Sequence, residues 1–327
     1  MRVGIVGAGI TGSYLAWKLA EAGHDVMVFE KKSKTGKEAC SGLISKRVWD
    51  FIPKKKELIE HVIDKAVIHF PKKKIELTFS PEMHVIDRPA LDRYVAEIAA
   101  SKGAKFFYNY EFKKLFHYVG HKPQISMLTE KGSVAMEFDK IIGCDGALSA
   151  LRKQMRKKDP QYRLGLGFYQ KKINNSKSVD IWPMGQGFAW RIPRGGRVEY
   201  GIIDDPKNAK KNFDKFCRRL KVKKQLVFSA VVPRGLVLSD RMDVALVGDA
   251  AGMTKPWSGG GVIWGLTAAD MLIKTFPNFK KYYRRADRFY SPKIFYSSII
   301  EKTGIFIGNN IPILVPKKMT IDSDWVF

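Results

Sequence analysis

The stretch that decides the fold lies near the start of the chain and reads Val3-Gly4-Ile5-Val6-Gly7-Ala8-Gly9-Ile10-Thr11-Gly12. The apolar residues 3–6 predict a short buried strand, residues 13–22 predict a helix, and residues 26–29 predict a second strand that ends at Glu30. The glycines between strand and helix have the Gly-x-Gly-x-x-Gly spacing of dinucleotide-binding βαβ units. The pattern therefore predicts a nucleotide site at the start of the first helix. The alternative is a glycine-rich turn in an ordinary α/β domain.

Each glycine of this motif has a separate physical role. Gly7 allows a tight turn, Gly9 leaves room for a pyrophosphate against the backbone, and Gly12 lets the helix pack close to the strand. The N–H groups and the positive dipole end of the helix favour phosphate binding. The carboxylate of Glu30 can accept hydrogen bonds from ribose hydroxyls, and it disfavours the 2′-phosphate of NADP. The residues predicted to bind the nucleotide here are Gly7, Ala8, Gly9, Thr11, Gly12, Glu30 and Lys31.

The composition limits the class of protein. At 327 residues the chain is long enough for two domains of ~100–200 residues each. It shows no apolar run approaching the roughly 20 residues of a membrane-spanning helix, and its immediate entry into a strand predicts that no signal peptide is present. Only three cysteines occur, which argues against a disulfide framework and predicts a reducing, cytoplasmic environment. The six histidines lack metal-ligand spacing, so no metal site is predicted.

The net charge of +26 is extreme for a chain of this length. One explanation is attraction to an anionic membrane surface, and a second is nucleic-acid binding. A third is a lysine-rich proteome or a host adapted to salt or heat. Nucleic acid is the least favoured of the three, because no RNA- or DNA-binding motif accompanies the charge. The lysines are scattered along the chain and form no single basic arm.

The rest of the chain alternates βα pieces with strand-rich stretches, which predicts interleaved domains instead of two consecutive ones. The predicted divisions are residues 1–48, 85–152 and 240–275 for a discontinuous nucleotide-binding domain, 49–84 and 153–239 for a β-rich substrate domain, and 276–327 for a helical C-terminal segment. Within these divisions, a strand is predicted near residues 225–230, several helices are predicted over 278–303, and residues 308–327 are predicted to be irregular.

Three further motifs carry chemistry. The carboxylate in Gly248-Asp249-Ala250, at the end of a predicted strand, suits a polyol chain. The stretch Gly260-Gly261-Val262 lets the backbone press against a flat ring, and the helix that starts there would aim its positive end at that ring. The alternative for Asp249 is that it only caps a helix. Asp145-Gly146, after another predicted buried strand, is the third element.

Together these motifs resemble the geranylgeranyl reductase family of FAD-dependent oxidoreductases, within the wider group that includes the aromatic hydroxylases. The wider group is recognised by the glycine motif with Glu30, by Asp145-Gly146 and by Gly248-Asp249, which are present in that order. The narrower resemblance rests on Cys40-Ser41-Gly42, which corresponds to the family's Cys-x-Gly beside the flavin, and on residues 256–262, which are similar to its Pro-x-x-Gly-Gly-Gly-Ile. The resemblance implies an α/β fold in which a Rossmann-type FAD-binding domain is interleaved with a β-rich substrate domain, with C-terminal helices.

The stretch Phe188-Ala189-Trp190-Arg191-Ile192-Pro193 resembles the family's substrate motif Tyr-x-Trp-x-Phe-Pro. Trp190 and Pro193 match. Phe188 replaces Tyr and Ile192 replaces Phe, so a hydroxyl is lost but the apolar character stays. The resemblance implies that these four residues bind substrate, with Trp182 as a further wall residue. The alternative is ordinary strand and core packing.

The resemblance also implies FAD as the cofactor. The residues that it adds to the binding site are Ser41, Gly42, Arg88, Asp145, Gly146, Gly248, Asp249, Ala250, Gly260, Gly261 and Val262. Arg88 would contact the phosphates or the adenosine of FAD, unless it is an ordinary surface arginine. Cys40 and Trp190 are the predicted catalytic residues. Nearby Lys37 could help Cys40 to donate or relay a proton, although a lone cysteine is usually a small buried apolar residue.

The implied function is that of an FAD-dependent reductase acting on CH–CH groups, which hydrogenates C=C bonds of geranylgeranyl or other isoprenoid chains in membrane-lipid precursors. The electron donor would be a ferredoxin-like protein, a reduced deazaflavin or NAD(P)H. Such an enzyme would be cytoplasmic, or peripheral on the inner membrane face. Two alternatives stay open: an aromatic-hydroxylase-type monooxygenase that uses NAD(P)H and O2, and a flavin-bearing lipid carrier without turnover. Cys40-Ser41-Gly42 and the Trp190 stretch favour the reductase over the monooxygenase.

Overall fold

The computed structural model describes residues 1–117 and 120–325 as a mixed α/β protein. The helices are α1 (Ile10–Glu21), α2 (Val48–Phe51), α3 (Arg88–Ser101), α4 (Ala150–Gln154), α5 (Ala209–Arg219), α6 (Val262–Thr275) and α7 (Phe279–Asn310). The strands are β1 (Arg2–Val6), β2 (Asp25–Glu30), β3 (Leu43–Ser45), β4 (Ile59–His69), β5 (Lys74–Ile86), β6 (Lys105–Tyr108), β7 (Glu111–Phe116), β8 (Gln124–Thr129), β9 (Gly132–Glu137), β10 (Lys140–Gly143), β11 (Gln161–Asn174), β12 (Ser178–Met184), β13 (Gly187–Pro193), β14 (Gly195–Asp204), β15 (Phe228–Arg234), β16 (Val244–Leu246) and β17 (Lys318–Ile321).

A five-stranded parallel sheet carries the glycine motif. Its strand order is β16-β10-β1-β2-β6, and all four pairings are parallel. The apolar runs of β1 and β2 suit strands that are buried on both faces. Helix α1 connects these two strands and packs between α3 and α6. The structure confirms the α/β fold class and the strand-helix-strand unit predicted from the first thirty residues.

A second, nine-stranded sheet has the order β15-β11-β14-β13-β12-β4-β5-β17, with β3 paired to β5. Most of its pairings are antiparallel, and β12–β4 and β17–β5 are parallel. Helix α5 covers one face of this sheet, where Phe213 and Phe216 pack against its side chains. Because successive side chains of a strand point to opposite faces, the other face is left to line a cavity. A separate three-stranded sheet has the order β7-β8-β9.

The C-terminal chain differs from the predicted irregular end. Strand β17 pairs in parallel with β5, and Met319 lies opposite Leu77. Because β5 is distant from β17 in sequence, no local pattern predicts this pairing. Helix α7 is one continuous helix with Pro292 inside it, where several helices were expected. No helix among the described residues is long and apolar enough to cross a membrane.

The two main sheets take their strands from interleaved segments. All five strands of the parallel sheet fall in the segments predicted for the nucleotide-binding domain. The larger sheet also takes β3 and β17, which fall in segments predicted to belong elsewhere. The strand predicted near residues 225–230 is β15, which begins later, at Phe228. The domain boundaries themselves stay predictions, but β3 directly joins the loop after β2 to the larger sheet.

Candidate cofactor and substrate site

One large cavity, of about 2030 Å³, is lined by residues of both main sheets. The predicted site residues on its wall are Gly7, Ala8, Gly9, Thr11, Glu30, Lys31, Cys40, Ser41, Arg88, Asp145, Gly146, Phe188, Trp190, Ile192, Asp249, Gly260, Gly261 and Val262. Those that lie off the wall are Gly12, Gly42, Pro193, Gly248 and Ala250. The structure therefore brings the predicted cofactor and substrate residues together around a single space.

The glycine motif forms a polar end of the cavity, directly after β1. Gly7 has a φ of +103°, and a Cβ there would lie 2.3 Å from the carbonyl oxygen of Cys144. A Cβ at Gly12 would lie 2.0 Å from the carbonyl oxygen of Gly7, so Gly12 serves close packing behind the wall. A Cβ at Gly9 would meet nothing within 4 Å. Gly9 is also the N-cap of α1 and forms no side-chain cap, which leaves the first N–H groups of the helix for a phosphate.

Glu30 ends β2 beside the glycine motif. Its Oε2 accepts a 3.0 Å hydrogen bond from the N–H of Ala8, and its Oε1 accepts a 3.0 Å hydrogen bond from the N–H of Lys32. These bonds hold the carboxylate at the wall, and each oxygen retains acceptor capacity for a further donor. A diol such as ribose fits this position, whereas a phosphate would meet a negative charge. Lys31 is exposed and reaches the same wall.

Asp145 follows β10 and provides an unsatisfied acceptor. Its Oδ2 accepts a 3.1 Å hydrogen bond from the N–H of Leu151. Its Oδ1 is buried and accepts no hydrogen bond from the described residues. Burial raises the pKa of this carboxyl group. Because a buried acceptor without a partner is costly, this position fits a bound molecule that donates a hydrogen bond.

Asp249 lies in the short 3₁₀ turn Gly248–Ala251 that precedes α6. Its Oδ2 forms a 3.0 Å ion pair with the Nζ of Lys37, and this negative charge raises the pKa of Lys37. A Cβ at Gly261 would lie 2.7 Å from Asp249 Oδ1, so the glycine lets the carboxylate approach the start of α6. Neither this turn nor α6 has a side-chain cap. The alternative that Asp249 only caps a helix is therefore wrong, because its carboxylate pairs with a lysine on the cavity wall.

Gly248 and Ala250 act from behind the wall. Gly248 has a φ of +68°, and a Cβ there would lie 2.9 Å from Thr11 Oγ1, so this glycine makes room for the Thr11 side chain. The carbonyl oxygen of Ala250 accepts a 2.8 Å hydrogen bond from Arg152 Nη1, and the Arg152 side chain is fully buried. These contacts fasten the turn before α6 to α1 and α4.

Arg88 and Cys40 contact each other where the loop after β2 meets α3. Arg88 is buried, its guanidinium pairs with Asp92 at 3.0 Å, and its Nη1 donates a hydrogen bond to Cys40 Sγ at 3.2 Å. The alternative of an ordinary surface arginine is therefore wrong. Lys37, the expected partner of Cys40, bonds Asp249 through its Nζ and Asp92 through its backbone N–H, and Cys40 is one of the groups that raise the pKa of Lys37, after Asp249. The sulfur thus receives its side-chain hydrogen bond from Arg88, because the loop folds back onto α3.

The loop at residues 40–42 joins the polar end of the cavity to the larger sheet. Gly42 has a φ of +66°, and a Cβ there would lie 2.2 Å from the carbonyl oxygen of Ile86, so Gly42 presses against β5. The carbonyl oxygen of Ser41 accepts a hydrogen bond from Arg194. Gly42 therefore anchors the loop behind the wall while Cys40 and Ser41 face the cavity.

The larger sheet gives the cavity an apolar face. On β13, Phe188, Trp190 and Ile192 occupy alternate positions and line the cavity. Trp182, which was expected on the same wall, lies on the opposite face of the sheet and packs against α5. Pro193 lies off the wall because it alternates with Ile192. The neighbouring strands continue the apolar face with Ala66, Ile68, Ile75, Leu77, Phe79, Val179, Ile181, Ile203 and Phe228.

A buried pair, Glu199 and Arg194, lies behind Trp190. Glu199 Oε1 accepts a 2.9 Å hydrogen bond from Trp190 Nε1, and Glu199 Oε2 accepts a 2.9 Å hydrogen bond from Arg194 Nη1. Burial raises the pKa of Glu199. Because its N–H group bonds Glu199, Trp190 presents only apolar ring atoms to the cavity. Trp190 therefore fits a place in the substrate wall. It presents to the cavity no proton-donating group that would support its predicted catalytic role.

Several residues of the site were not predicted from the sequence. The carboxylate of Asp92 holds Arg88, and Glu199 with Arg194 holds Trp190 and the Ser41 carbonyl. Two further cavity residues are Lys255 and Asp324, which form a buried ion pair of 3.2 Å. Two local signals are present: Asp92 follows Arg88 at the i, i+4 spacing of a helix, and Glu199 interrupts the apolar part of β14. Lys255 with Asp324, and Arg194 with the Ser41 carbonyl, join positions that are far apart in sequence.

Comparison with known proteins identifies the family. The family model described as "FAD binding domain" matches residues 1–166. The chain belongs to this FAD-binding family. Its cofactor is FAD, and the resemblance to FAD-dependent oxidoreductases is confirmed.

The chain is similar to known reductases and monooxygenases. The chain is 23% identical to the chloroplastic geranylgeranyl diphosphate reductase of Nicotiana tabacum, over 95% of this chain and 75% of that protein. It is 26% identical to the kynurenine 3-monooxygenase of Flavobacterium johnsoniae, over 59% of this chain and 49% of that protein. A crystal structure of a geranylgeranyl bacteriochlorophyll reductase-like protein from Thermoplasma acidophilum matches with a TM-score of 0.82 at 18% identity, covering 93% of this chain and 87% of that one. The chain is therefore an FAD-dependent oxidoreductase.

The donor and acceptor groups of the cavity suit FAD. The backbone at Gly9 is open, Glu30 retains acceptor capacity, and Asp145 Oδ1 is an unpaired acceptor. FAD carries phosphates and several hydroxyl groups that complement such positions. Asp249 and the uncapped start of α6 at Gly261 line the same cavity. The contact of each residue with a given part of FAD stays a proposal.

Proposed function

We propose that this FAD-dependent oxidoreductase hydrogenates C=C bonds of a geranylgeranyl or similar isoprenoid chain in a membrane-lipid precursor. The observation that carries the proposal is that one cavity joins the FAD-binding wall to an apolar face of the nine-stranded sheet. A hydrocarbon chain forms no hydrogen bonds, so an apolar wall is what binds it. The similarity to geranylgeranyl reductases supports the same substrate class.

The apolar face has the dimensions of a hydrocarbon chain. Along β5, residues on the cavity wall extend from Ile75 to Met83. The paired residues of β4 run only from Ile68 to Ile63, because β5 bulges between Thr78 and Met83. Five residues of extended strand cover roughly 17 Å, at about 3.3 Å per residue. A lipid chain in one leaflet spans about half of the ~30 Å hydrocarbon core of a bilayer, so the face is about as long as such a chain.

The reaction needs a hydride, a proton and the exclusion of water. When bound and reduced, FAD supplies the hydride to one carbon of the double bond. The residues of the chain hold the double bond in place and exclude water, which we assign to Trp190, Ile192 and the neighbouring apolar side chains. A proton must reach the other carbon, and we assign its delivery to Cys40. The electron donor in this proposal is a ferredoxin-like protein, a reduced deazaflavin or NAD(P)H.

The position of Cys40 supports a role in proton delivery. Cys40 lines the cavity on the loop that joins the FAD-binding sheet to the larger sheet. Its sulfur accepts hydrogen bonds from Arg88 Nη1 at 3.2 Å and from the N–H of Gly42 at 3.5 Å. The Arg88 guanidinium therefore fixes the position of the sulfur at the cavity wall. After proton delivery, solvent would return a proton to Cys40.

A monooxygenase is the second candidate, because the chain is also similar to kynurenine 3-monooxygenases. A monooxygenase must consume O2, whereas the proposed reductase needs none. The length of the apolar face favours the reductase, since a single aromatic substrate would fill only a small part of it.

The deciding experiment is anaerobic. The purified FAD-loaded protein is reduced chemically, mixed with a geranylgeranyl lipid and analysed by mass spectrometry. We expect the lipid to gain the mass of added hydrogen and the reduced flavin to reoxidise. Oxidised protein with the same lipid serves as the control and should leave the lipid unchanged.

Two other results would contradict the reductase. No mass gain without O2, together with NAD(P)H-driven peroxide release in air, would favour the monooxygenase. Tight binding of the lipid with neither flavin reoxidation nor peroxide release would favour a flavin-bearing lipid carrier.

A further inference from the structure

The C-terminal part of the chain exposes many large apolar side chains. Nine of the seventeen such side chains that are exposed among the described residues lie between residues 295 and 319. Phe306 is 60% exposed, Ile313 84% and Leu314 67%. We define the C-terminal patch as Phe295, Ile299, Phe306, Ile311, Ile313 and Leu314. Single exposed apolar residues are normal on a protein surface, but a cluster of this kind marks a binding surface.

The second half of α7 is apolar on two opposite sides. Phe295, Ile299 and Phe306 follow helical spacing and form an exposed stripe. A surface helix that packs on a protein core is normally polar on its outer side. The residues of the same half that line the cavity are Ser297, Ile300, Glu301, Gly304, Ile305 and Ile307. One side of the helix therefore lines the cavity, and the opposite side exposes apolar side chains to solvent.

The patch is firmly attached to the nine-stranded sheet. A Cβ at Gly308 would lie 2.2 Å from the Phe70 ring, so α7 closely approaches the turn between β4 and β5 at this point. Lys73 Nζ donates hydrogen bonds to the carbonyl oxygens of Pro312 and Val315, at the end of the patch. These contacts hold the exposed side chains on a fixed base, so they form a defined surface.

The charges around the patch are positive. Residues 291–321 contain four lysines, Lys293, Lys302, Lys317 and Lys318, and one acid, Glu301. Glu301 is buried in ion pairs with Arg163 at 2.8 Å and Arg234 at 2.6 Å. A second copy of this chain would bring the same positive charges face to face. An anionic lipid surface instead offers both negative head groups and an apolar interior.

We propose that the C-terminal patch docks on the surface of an anionic bilayer. The apolar side chains would enter the boundary between head groups and acyl chains, with the lysines at the lipid phosphates. Ile300, Leu314 and Met319 are both exposed and part of the cavity wall, so the cavity opens at this surface. A lipid chain passes from the bilayer to the apolar face of the sheet without crossing water. This docking does not depend on the proposed reduction, because its test measures binding alone.

The test is flotation of the full-length FAD-loaded protein with two kinds of vesicle, phosphatidylcholine alone and phosphatidylcholine with phosphatidylglycerol. We expect binding to the vesicles that contain phosphatidylglycerol and much weaker binding to the others. The double variant Phe306→Glu/Ile313→Glu should lose affinity by about tenfold or more, because each buried apolar side chain contributes more than the free energy of a tenfold change.

The matched control is Ile173→Glu. Ile173 is 79% exposed, and it lies ten residues along β11 from Arg163, the partner of Glu301. At about 3.3 Å per residue it is roughly 33 Å from that contact. This variant makes the same apolar-to-acid change and should bind vesicles like the unchanged protein. FAD absorbance and melting temperature check that both variants fold.

Two outcomes overturn the proposal. Equal vesicle binding by the double variant and by Ile173→Glu would show that the patch does not contact lipid. Absence of vesicle binding, together with a concentration-dependent dimer that the double variant dissociates in analytical ultracentrifugation, would show that the patch pairs two copies of the chain.

Discussion

The indole N–H of Trp190 donates a 2.9 Å hydrogen bond to the fully buried carboxylate of Glu199. Gly201 lies opposite Trp190 on the neighbouring strand β14, and a Cβ there would lie 2.3 Å from the indole ring. Glu199 therefore directs the polar edge of the ring away from the cavity, and Gly201 makes room for its bulk. The shape of the substrate wall thus depends on two residues that do not line the cavity themselves.

We expect Gly201→Ala to displace Trp190 and narrow the apolar face. Inserting a methyl group into such a packed site typically costs ~1–3 kcal/mol of stability. The variant should melt earlier and reoxidise more slowly with an isoprenoid substrate, while it still binds FAD. Thermal melting and stopped-flow reoxidation measure these effects. Gly196→Ala is the control, since a Cβ there meets nothing within 4 Å. Equal behaviour of the two variants would contradict the assigned wall.

Substitutions at two glycines of the motif should affect FAD binding and protein stability separately. Gly9→Val should leave the melting temperature of the apoprotein almost unchanged, because its Cβ enters open space, but the larger side chain should block the approach of FAD. Gly12→Ala should destabilise the apoprotein, because its Cβ would lie 2.0 Å from the carbonyl oxygen of Gly7. FAD titration and thermal melting of both apoproteins give the comparison. Unchanged FAD affinity in Gly9→Val would place the cofactor elsewhere.

Asp145 should make the stability of the apoprotein depend on pH. Burial raises its pKa above the ordinary value of 3.8 in the folded state. A carboxyl group whose pKa is raised on folding contributes to the free energy of unfolding. This contribution is fully present below pH 3.8, and it is lost as pH rises through the pKa of the folded state. Asp145→Asn removes this loss, so the apo variant should be more stable than the unchanged apoprotein at neutral pH, by about 1–3 kcal/mol.

The comparison of Asp145 and Asp145→Asn needs melting curves over a range of pH, with and without FAD. FAD should stabilise the unchanged protein more than the variant, because the amide is a weaker acceptor than the carboxylate. A variant that is less stable than the unchanged apoprotein at neutral pH, or that binds FAD more tightly, would disprove the assignment of Asp145 Oδ1 to the cofactor.

Cys40→Ser should slow the reduction of substrate without weakening FAD binding. A positioned proton donor contributes roughly 10²–10⁴-fold to rate, so substrate-dependent reoxidation should slow by at least about tenfold. The absorbance spectrum and affinity of FAD should stay the same. Cys217→Ala is the control, because Cys217 is buried with α5 on the other face of the larger sheet. A rate equal to that of the unchanged protein would exclude Cys40 from proton delivery.

The local motifs predicted the strand-helix-strand unit and the FAD cofactor. The βαβ unit is contiguous in sequence, so the glycine spacing and Glu30 predict both the fold and the cofactor wall. The partner of Cys40 could not be predicted in the same way. Lys37 is close in sequence, but the loop folds back and places Arg88 against the sulfur. The position of Trp182 could not be predicted from the sequence either, because the face of the sheet on which it lies depends on a strand register that involves distant segments.

The amino-acid sequence by itself determined the α/β class, the FAD-binding motif and the presence of an apolar strand around Trp190. These features depend on neighbours within a few residues, where backbone geometry follows directly from residue type and spacing. Only the tertiary structure decided which side chains from distant segments meet, such as Arg88 with Cys40 and Lys255 with Asp324. It also decided that β17 joins β5 and that the C-terminal patch stays exposed, because long-range pairing and burial depend on the packing of the whole chain.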